Sequence, residues 1–508
     1  MKSKVFLLLF LFFAMPLNAQ QIRHIYMWMD CEANYDRLSS ADSVRYYIDK
    51  LKDAGVTDVV LDVKSIMGTV VFNSNIAPYM ESGVSGIRRT PDYDLMALVI
   101  KEGHRAGMGV FASMNIFAGG HNYFRSGILF SGEENPKIGN RGISGTGARS
   151  AGSSVSNIST WQSQVYWRNM IFPISEMYWN YNAMLNPADP QVQDYELSII
   201  KEFVDKYKAL DGLIFDRMRY DDITSDFSNL SRIQFEKYIG HSVKNWPHDI
   251  FSWKDAPLAD SVNAYFSIGN VVDNVTDGRV DAVNHIKMIM SRERADSLYN
   301  ADKQNIVPGP LYGKWLEWRA HVIKEFLSRA RKDVKDINPN LLVGVYTGAW
   351  YDSYYNVGVN WASEKYIPKY PWATAKYGKQ GYAELLDVYM SGFYYENISD
   401  GNIAAVKDVL RCAVPLTGSV CVSIYSGNVN GFINNMKVLL GDSYGNGINE
   451  ASGMNGVKAA VSEHVSEHVS GHVSGLDAGC DGGVMIFDLS HIVHYGWWEP
   501  LKKVLSTR

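Results

Sequence analysis

The chain has 508 residues, a formal net charge of −5 and four cysteines. No basic stripe runs through it, so nucleic acid is not an expected partner. The cysteines form no CxxC pair, which argues against a metal knuckle or a thioredoxin-like site, and we expect most of them to be free thiols.

The first twenty residues have the pattern of a secretory signal peptide. Lys2 and Lys4 precede an apolar run over 5–17, and small residues follow it up to Ala19. The run is too short to span a membrane. We therefore predict a signal peptide over 1–19, cleavage after Ala19, no membrane association after cleavage, and a secreted or periplasmic location.

Short apolar runs then alternate with segments of helical spacing, several of which end at glycine. The runs have the character of buried strands and lie at 23–30, 57–63, 108–115, 211–216, 341–348, 384–395, 419–426 and 482–490. Strands that alternate with helices pair in parallel through right-handed crossovers, and eight of them close a barrel. The sequence predicts an α/β protein, a (β/α)8 TIM barrel over 20–508.

Two long insertions interrupt this repeat. Residues 117–185 follow the third strand and are rich in Gly and Ser, so we expect a mobile wall or lid near the barrel mouth. Residues 240–313 follow the helix after strand four. They therefore begin at the end of the barrel opposite the mouth, and they are long enough to wrap round the barrel.

A tandem repeat at 461–475 places His464, His468 and His472 four residues apart. On a helix this is a metal-ligand spacing. No cysteine or carboxylate trio lies nearby, so we favour a repeat expansion in a solvated helix and predict neither a metal nor another cofactor.

In this fold the chemistry lies at the carboxyl ends of the strands. Those ends carry acids, amides, arginines and aromatic residues, among them Asp30, Asp62, Asn115, Asp216, Arg219, Tyr220, Tyr346, Trp350, Asp352, Tyr394, Glu396 and Asp488. HExxH and GK[ST] patterns are absent, which weakens zinc-peptidase and P-loop interpretations, and GxSxG occurs once, as GDSYG at 441–445. Carboxylates beside aromatic rings favour glycoside hydrolysis.

The stretch LNPADPQVQDYELSIIKEFVDKYKALDGLIFDRMRY, at 185–220, resembles a hallmark of the bacterial family-ten-like glycosyl hydrolases. The matching positions are Pro187, Pro190, Val192, Tyr195, Asp211, Gly212, Asp216, Arg219 and Tyr220. WMDCEANYDR, VVLDVKSIMGTVVFNS, GHRAGMGVFASMN and LDVYMSGFYYEN resemble other strands of that family. The resemblance implies a glycosidase-type barrel. Asp221 stands where a proline often follows the tyrosine, and the two insertions are particular to this chain, so the substrate does not carry over.

Asp216 is the predicted nucleophile, by its position at the end of strand four. Arg217 or Arg219 would hold it ionised; the alternative is a structural salt bridge. For the general acid, Asp352 and Glu396 are equal candidates because aromatic neighbours would desolvate them and raise their pKa values. Asp488 ranks behind them and would orient substrate.

The other strand-end residues are predicted to contact the substrate. Asp30, Asn115 and Tyr346 would bind sugar hydroxyls, Tyr220 would bound the pocket, and Trp350 and Trp361 would serve as platforms. Arg219, Tyr394 and Asp488 complete the substrate-binding set. Asp62 and Lys64 would pair with each other inside the mouth, and Trp28 would belong to the core.

These features together predict an exported glycoside hydrolase that acts on a poly- or oligosaccharide, with a retaining mechanism favoured. The 13 Trp and 31 Tyr suit sugar binding, although most must serve the core. The alternative is a carbohydrate-binding or cell-wall-associated barrel without catalysis, which would keep the aromatic residues and lack a carboxylate pair.

Overall fold

The computed structural model describes most of the chain. The described residues are 23–83, 86–130, 158–254, 291–441 and 479–506, together with the backbone of four short strands between 266 and 288. The predicted signal peptide, the Gly- and Ser-rich part of the first insertion and the histidine repeat lie outside them.

Eight parallel strands form a closed barrel, as the sequence predicts. In chain order they are β1 His24–Met29, β2 Asp58–Lys64, β3 Gly109–Asn115, β4 Gly212–Asp216, β5 Leu342–Gly348, β6 Val388–Gly392, β7 Leu416–Cys421 and β8 Gly483–Phe487. Each strand pairs with its sequence neighbours, and β1 pairs with β8 to close the ring. Strand seven begins and ends earlier than the predicted range 419–426. It ends at Cys421, and the apolar residues after it form a 3₁₀ turn, Val422–Tyr425.

Helices surround the barrel and fill its connections. In the described part of the chain they are α1 Ala41–Asp53, α2 Leu95–Arg105, α3 Pro190–Lys206, α4 Asn229–Ile239, α5 Arg292–Lys303, α6 Tyr312–Ile337, α7 Tyr351–Tyr354, α8 Ala375–Gly378, α9 Asp400–Leu410, α10 Val429–Leu440, α11 Leu489–Tyr495 and α12 Trp498–Leu505. Local sequence sets several starts: Ser40 forms a capping box on α1, and Asp189 caps α3 directly before Pro190.

The core has two layers, as expected when a barrel is enclosed by helices. Inside the barrel lie Tyr26, Trp28, Val60, Phe111, Ile214, Val388, Met390 and Met485. Trp28 is thus a core residue, as predicted. The larger cluster lies between the strands and the helices. The barrel interior is filled with side chains, so a ligand can reach only its mouth.

The described parts of the first insertion are paired and packed. Ala118–His121 pairs with Asn182–Met184, and Gln164–Trp167 pairs with Met170–Pro173. Trp167 and its neighbours are buried. Apolar side chains between the polar stretches are buried in these residues, and the Gly- and Ser-rich part, on which the prediction of mobility rests, lies outside the described residues.

The second insertion does wrap round to meet the first. The Nε1 of Trp167 donates to Asp302 at 2.7 Å, and the Nε of Arg168 donates to the same carboxylate oxygen at 2.5 Å. Lys303 forms an ion pair with Asp222 in the loop after β4. Helix α5 is thereby tied to the side of the barrel that carries the strand ends.

Two further properties concern the whole described chain. None of its helices is long and apolar enough to cross a membrane. The four cysteines are free thiols, as predicted, and only Cys412 is exposed.

Candidate active site

Asp216, the last residue of β4, lies partly buried at the barrel mouth. Its Oδ1 accepts the backbone N–H of Arg217 at 2.6 Å. Burial raises the pKa of the Asp216 carboxyl above its ordinary value, while the charges of Arg217 and Arg219 oppose that rise. The two arginines thus favour its ionised form, as the sequence indicated.

Arg217 is the cation at the centre of the site. Its Nε donates to the Oδ1 of Asn115 at 3.1 Å, and its Nη2 donates to the hydroxyl of Tyr181 at 2.8 Å. Its positive charge acts on Asp216 and also on Asp30 and Glu32. One guanidinium therefore faces carboxylates from the ends of β1 and β4.

Glu32 follows β1 and has the pKa that a general acid needs. Burial, and next the negative charge of Asp30, raise its pKa to about 7, against the opposing effect of a hydrogen bond with Ser65. A carboxylic acid with such a pKa holds its proton near neutral pH and can donate it to a leaving group.

Asp62 is a second buried acid in the mouth. It is 4% exposed, and the hydroxyl of Ser113 donates to its Oδ1. Burial raises its pKa well above the ordinary value, and the charges of Asp30 and Asp216 raise it further. Because those charges act on it, Asp62 belongs to the same carboxylate group as Asp216.

Lys64 does not pair with Asp62, so that prediction was wrong. A β-bulge between the two residues shifts the register of β2 against β3. The side chain of Lys64 instead forms a fully buried ion pair with Glu196 of α3 at 3.1 Å, and its Nζ donates to the backbone carbonyls of Asn115 and Ile116. Lys64 supports the end of β3 from behind the mouth.

The two predicted general acids are solvent-exposed. Asp352 lies on the short helix α7, and Glu396 lies beyond β6. The neighbouring aromatic rings therefore do not enclose either carboxylate, so the desolvation expected from the sequence does not occur. The structure does not bring either of them into the buried carboxylate group.

Several predicted sugar-binding residues are already engaged by the protein. Asn115 is buried and donates to the carbonyl of Lys64 in addition to accepting from Arg217. The buried Asp488 accepts from Asn34, Ser490 and His491. These two side chains act as supports in this structure.

Asp30 and Arg219 also make local contacts. Asp30 accepts the backbone N–H groups of Glu32 and Ala33, which folds the chain after β1 back over the mouth. Arg219 donates to the carbonyls of Tyr220 and Asp221 while its charge reaches Asp216. Each residue still lies beside the candidate nucleophile or acid.

Tyr220 does not bound the pocket. It is fully buried, and its ring lies 4.5 Å from the guanidinium carbon of Arg319 in the layer outside the barrel. Trp361 is likewise fully buried against Tyr351 and Tyr389, so it cannot be a platform. A position on a loop did not make either side chain accessible, because both loops fold onto the helical layer.

Aromatic residues do line one side of the mouth. Tyr346, at the end of β5, donates to the hydroxyl of Tyr394, and the ring of Tyr394 lies 6.1 Å from that of Trp350. Trp350 is 41% exposed. A small cavity beside them is lined in part by Arg217, Arg219 and Tyr346. These three aromatic residues are placed where the sequence predicted ligand contacts.

Sequence reasoning gave too little weight to Glu32, Asp62, Arg217 and Tyr181. Glu32 lies three residues past β1, so strand-end position alone did not select it, and Asp62, two residues before the end of β2, was given only a pairing role with Lys64. Tyr181 lies in the first insertion, and no signal within the sequence links it to Arg217. The buried acid in the strand, Asp62, was the one signal that could have been used.

A (β/α)8 barrel with carboxylates gathered round an arginine at its mouth is typical of glycosidases. The family model described as glycosyl hydrolase-like 10 matches residues 175–370. The match confirms the resemblance predicted from the sequence.

Other comparisons are more distant. An S-layer-related protein of Niallia circulans is 26% identical over 427 residues, which cover 78% of this chain and 22% of that protein. This chain therefore spans about a fifth of that relative's length. Among solved structures, the PgaB (BpsB) glycoside hydrolase domain of Bordetella bronchiseptica covers 96% of this chain and 99% of its own, at 12% identity and a TM-score of 0.47. The β-amylase catalytic domain of Paenibacillus polymyxa covers 95% and 98%, at 11% identity and a TM-score of 0.43.

Proposed function

We propose that this protein is a glycoside hydrolase that cleaves a poly- or oligosaccharide with a carboxylate pair at the barrel mouth. The observation that carries the proposal is the pairing of two unlike acids round Arg217. Burial raises the pKa of both carboxyl groups, but the charges of Arg217 and Arg219 oppose the rise at Asp216, whereas the charge of Asp30 adds to it at Glu32 and brings that pKa to about 7. Two carboxyl groups with environments that push their pKa values apart are the requirement of glycosidic-bond cleavage.

In the proposed reaction Asp216 attacks the anomeric carbon, or stabilises the positive charge that develops there. Glu32 protonates the departing glycosidic oxygen and, in the retaining mechanism that we favour, then removes a proton from water. Asp62, whose pKa burial raises, would support the same carboxylate group from within β2. Glu32 replaces Asp352 and Glu396 as the proposed acid because those two are exposed.

The alternative is a barrel that binds carbohydrate without cleaving it. Such a protein needs exposed aromatic residues, and Trp350 would serve it equally well. It has no use for buried carboxylates, whose desolvation costs free energy of folding unless function requires them. The buried acids therefore favour the enzyme over the binder.

Purified protein should be screened against a glycan panel and its variants compared on any substrate found. Asp216→Asn should lower kcat by about a thousandfold or more. Glu32→Gln should lower it by about a hundredfold to ten-thousandfold. Melting temperatures should stay equal or rise, since Asp216→Asn removes a partly buried charge and Glu32→Gln replaces an acid that holds its proton by a neutral side chain of similar size.

The exposed acids provide the matched comparison. Asp352→Asn and Glu396→Gln should each retain most of the wild-type kcat. If Glu396→Gln lost as much activity as Glu32→Gln, the general acid would be Glu396. An Asp216→Asn protein that stays active but is destabilised would show that Asp216 is only a structural partner of the arginines.

Export is part of the proposal. The charged and apolar pattern of residues 1–19 supports a signal peptide. Mass spectrometry of protein from the native host should find a mature chain that starts at Gln20, whereas a chain that retains Met1 would contradict export by this route.

A further inference from the structure

An exposed group of aromatic rings lies in the first insertion, next to the candidate active site. Tyr123, Phe124 and Tyr181 are 38%, 53% and 39% exposed. The ring of His121 lies between them, 4.3 Å from that of Phe124, 5.3 Å from that of Tyr123 and 6.0 Å from that of Tyr181. We call Tyr123, Phe124 and Tyr181 the aromatic platform.

The aromatic platform is held by the protein rather than by chance contacts. The hydroxyl of Tyr123 donates to the carbonyl of Trp179 at 2.8 Å. The guanidinium of Arg292, at the start of α5, lies 4.1 Å from the centre of the Tyr123 ring. Both insertions therefore contribute to it, and its tyrosines are positioned before any ligand arrives.

The platform is continuous with the catalytic centre. The hydroxyl of Tyr181 accepts from Arg217, and the backbone N–H of Arg217 binds Asp216. One arginine thus separates the platform from the proposed nucleophile. A saccharide unit on the platform would belong to the same chain as the unit whose bond is cleaved.

We infer that the aromatic platform is an outlying subsite that binds a further sugar unit of an extended saccharide, which makes the preferred substrate an oligo- or polysaccharide chain rather than a disaccharide. This inference rests on the proposed function. Clustered exposed rings are unusual on a protein surface and indicate a binding site. Aromatic faces pack on the apolar C–H faces of pyranoses, and the Tyr123 and Tyr181 rings, inclined at 63°, can cradle one unit.

The test compares Tyr123→Ala/Phe124→Ala with the wild type and with Tyr46→Ala, in the full-length protein. Tyr46 is the control because it is a solvent-exposed tyrosine, 54%, on α1. Tyr181 is left intact since it contacts Arg217. Affinity electrophoresis through gels that contain the polysaccharides of the panel measures binding, and kinetics on oligosaccharides of increasing length measures KM and kcat separately.

One or more polysaccharides in the gels should slow the migration of the wild type. The double variant should bind such a polysaccharide at least about tenfold more weakly, as expected when an anchoring aromatic residue is truncated. For the wild type, KM should decrease as the oligosaccharide becomes longer. For the double variant, KM should not change with oligosaccharide length. Tyr46→Ala should match the wild type in both measurements. Unchanged binding and an unchanged dependence of KM on chain length in the double variant would overturn the inference, as would failure of the wild type to bind any glycan.

The two proposals fail separately. A wild-type protein that binds a polysaccharide through the platform but cleaves none would support the subsite and contradict the hydrolase. A protein that cleaves glycans with the same length dependence after Tyr123→Ala/Phe124→Ala would support the hydrolase and contradict the subsite. Thermal unfolding checks that the double variant is folded.

Discussion

Arg217 shows how a single residue sets the chemistry of the mouth. Its backbone has φ of 47°, in the left-handed region that costs a non-glycine residue about 1–3 kcal/mol. This conformation directs its N–H to Asp216 while its side chain reaches Asn115 and Tyr181. The strained backbone lets one arginine serve both the nucleophile and the first insertion.

Glu32 leads to a prediction on pH. If it is the proton donor, kcat/KM should fall as the pH rises past about 7, the pKa to which burial raises it. Glu32→Gln should remove this alkaline limb as well as most of the activity. The pH–rate profile of both proteins on a substrate from the panel checks it.

Stability gives an independent test of the same pKa. The folded-state pKa of Glu32 lies above the ordinary 4.5, so the folded protein binds this proton more tightly than the unfolded chain. Glu32 therefore favours folding at low pH, and this contribution declines as the pH rises from about 4.5 to about 7. Glu32→Gln should be relatively more stable at pH 8 than at pH 5.

Glu196 supplies the control for that experiment. Burial raises its pKa to about 7 as well, but it lies behind the mouth beside Lys64. Glu196→Gln should alter stability and leave the alkaline limb in place. An alkaline limb that survives in Glu32→Gln would show that another group donates the proton.

Strand-end reasoning predicted Asp216 because the end of a barrel strand fixes where a side chain points. The structure leaves Asp352 and Glu396, which lie several residues beyond their strands, exposed outside the carboxylate group. Past a strand end, the chain can turn towards the mouth or away from it, and nothing local in the sequence decides which. Glu32 turns inward because Asp30 accepts its backbone N–H.

At the scale of elements, the sequence predicted the eight strands because each is a short apolar run between polar or glycine-containing segments. It could not predict the bulge in β2, which aims Lys64 at α3 instead of Asp62. A bulge depends on the partner strand. The buried pair of Lys64 and Glu196 is therefore a feature that only the assembled barrel reveals.

This pair should behave as a unit in mutagenesis. Lys64→Met leaves the buried Glu196 without its cation and should cost about 3–5 kcal/mol of unfolding free energy. The double variant Lys64→Met/Glu196→Leu should recover much of that loss. Urea denaturation of the single and double variants measures the coupling between them.

The exposed pair Lys332–Asp336 on α6 is the control, and replacing Lys332 by Met should leave stability nearly unchanged. Losses that simply add in the Lys64/Glu196 double variant would contradict the coupling. They would show instead that each residue acts through separate contacts, such as the carbonyls that Lys64 binds.

At the scale of the whole molecule, the barrel closes where β1 meets β8 across most of the chain's length. Helix α12 packs against α1, the helix that follows β1: Leu501 and Val504 are buried, and Lys502 pairs with Asp53 of α1. Pairing between segments so distant in sequence must form before the ring is complete. We therefore expect the stability of each described barrel strand to depend on the pairing of β1 with β8.

The last prediction tests that dependence with Leu501→Ala. Removing this fully buried side chain should cost about 2–5 kcal/mol, because it leaves a cavity under α12. In a closed barrel the loss should lower the midpoint of a single urea transition and leave its slope unchanged. Leu342→Ala, at the exposed start of β5, should change the unfolding free energy by less than about 0.5 kcal/mol.

Hydrogen exchange should speed up in every barrel strand of the Leu501→Ala protein to a similar degree. Faster exchange confined to 23–30 and 479–506 would show that the closure opens locally, and that the proposed active site on β4 retains its stability without it.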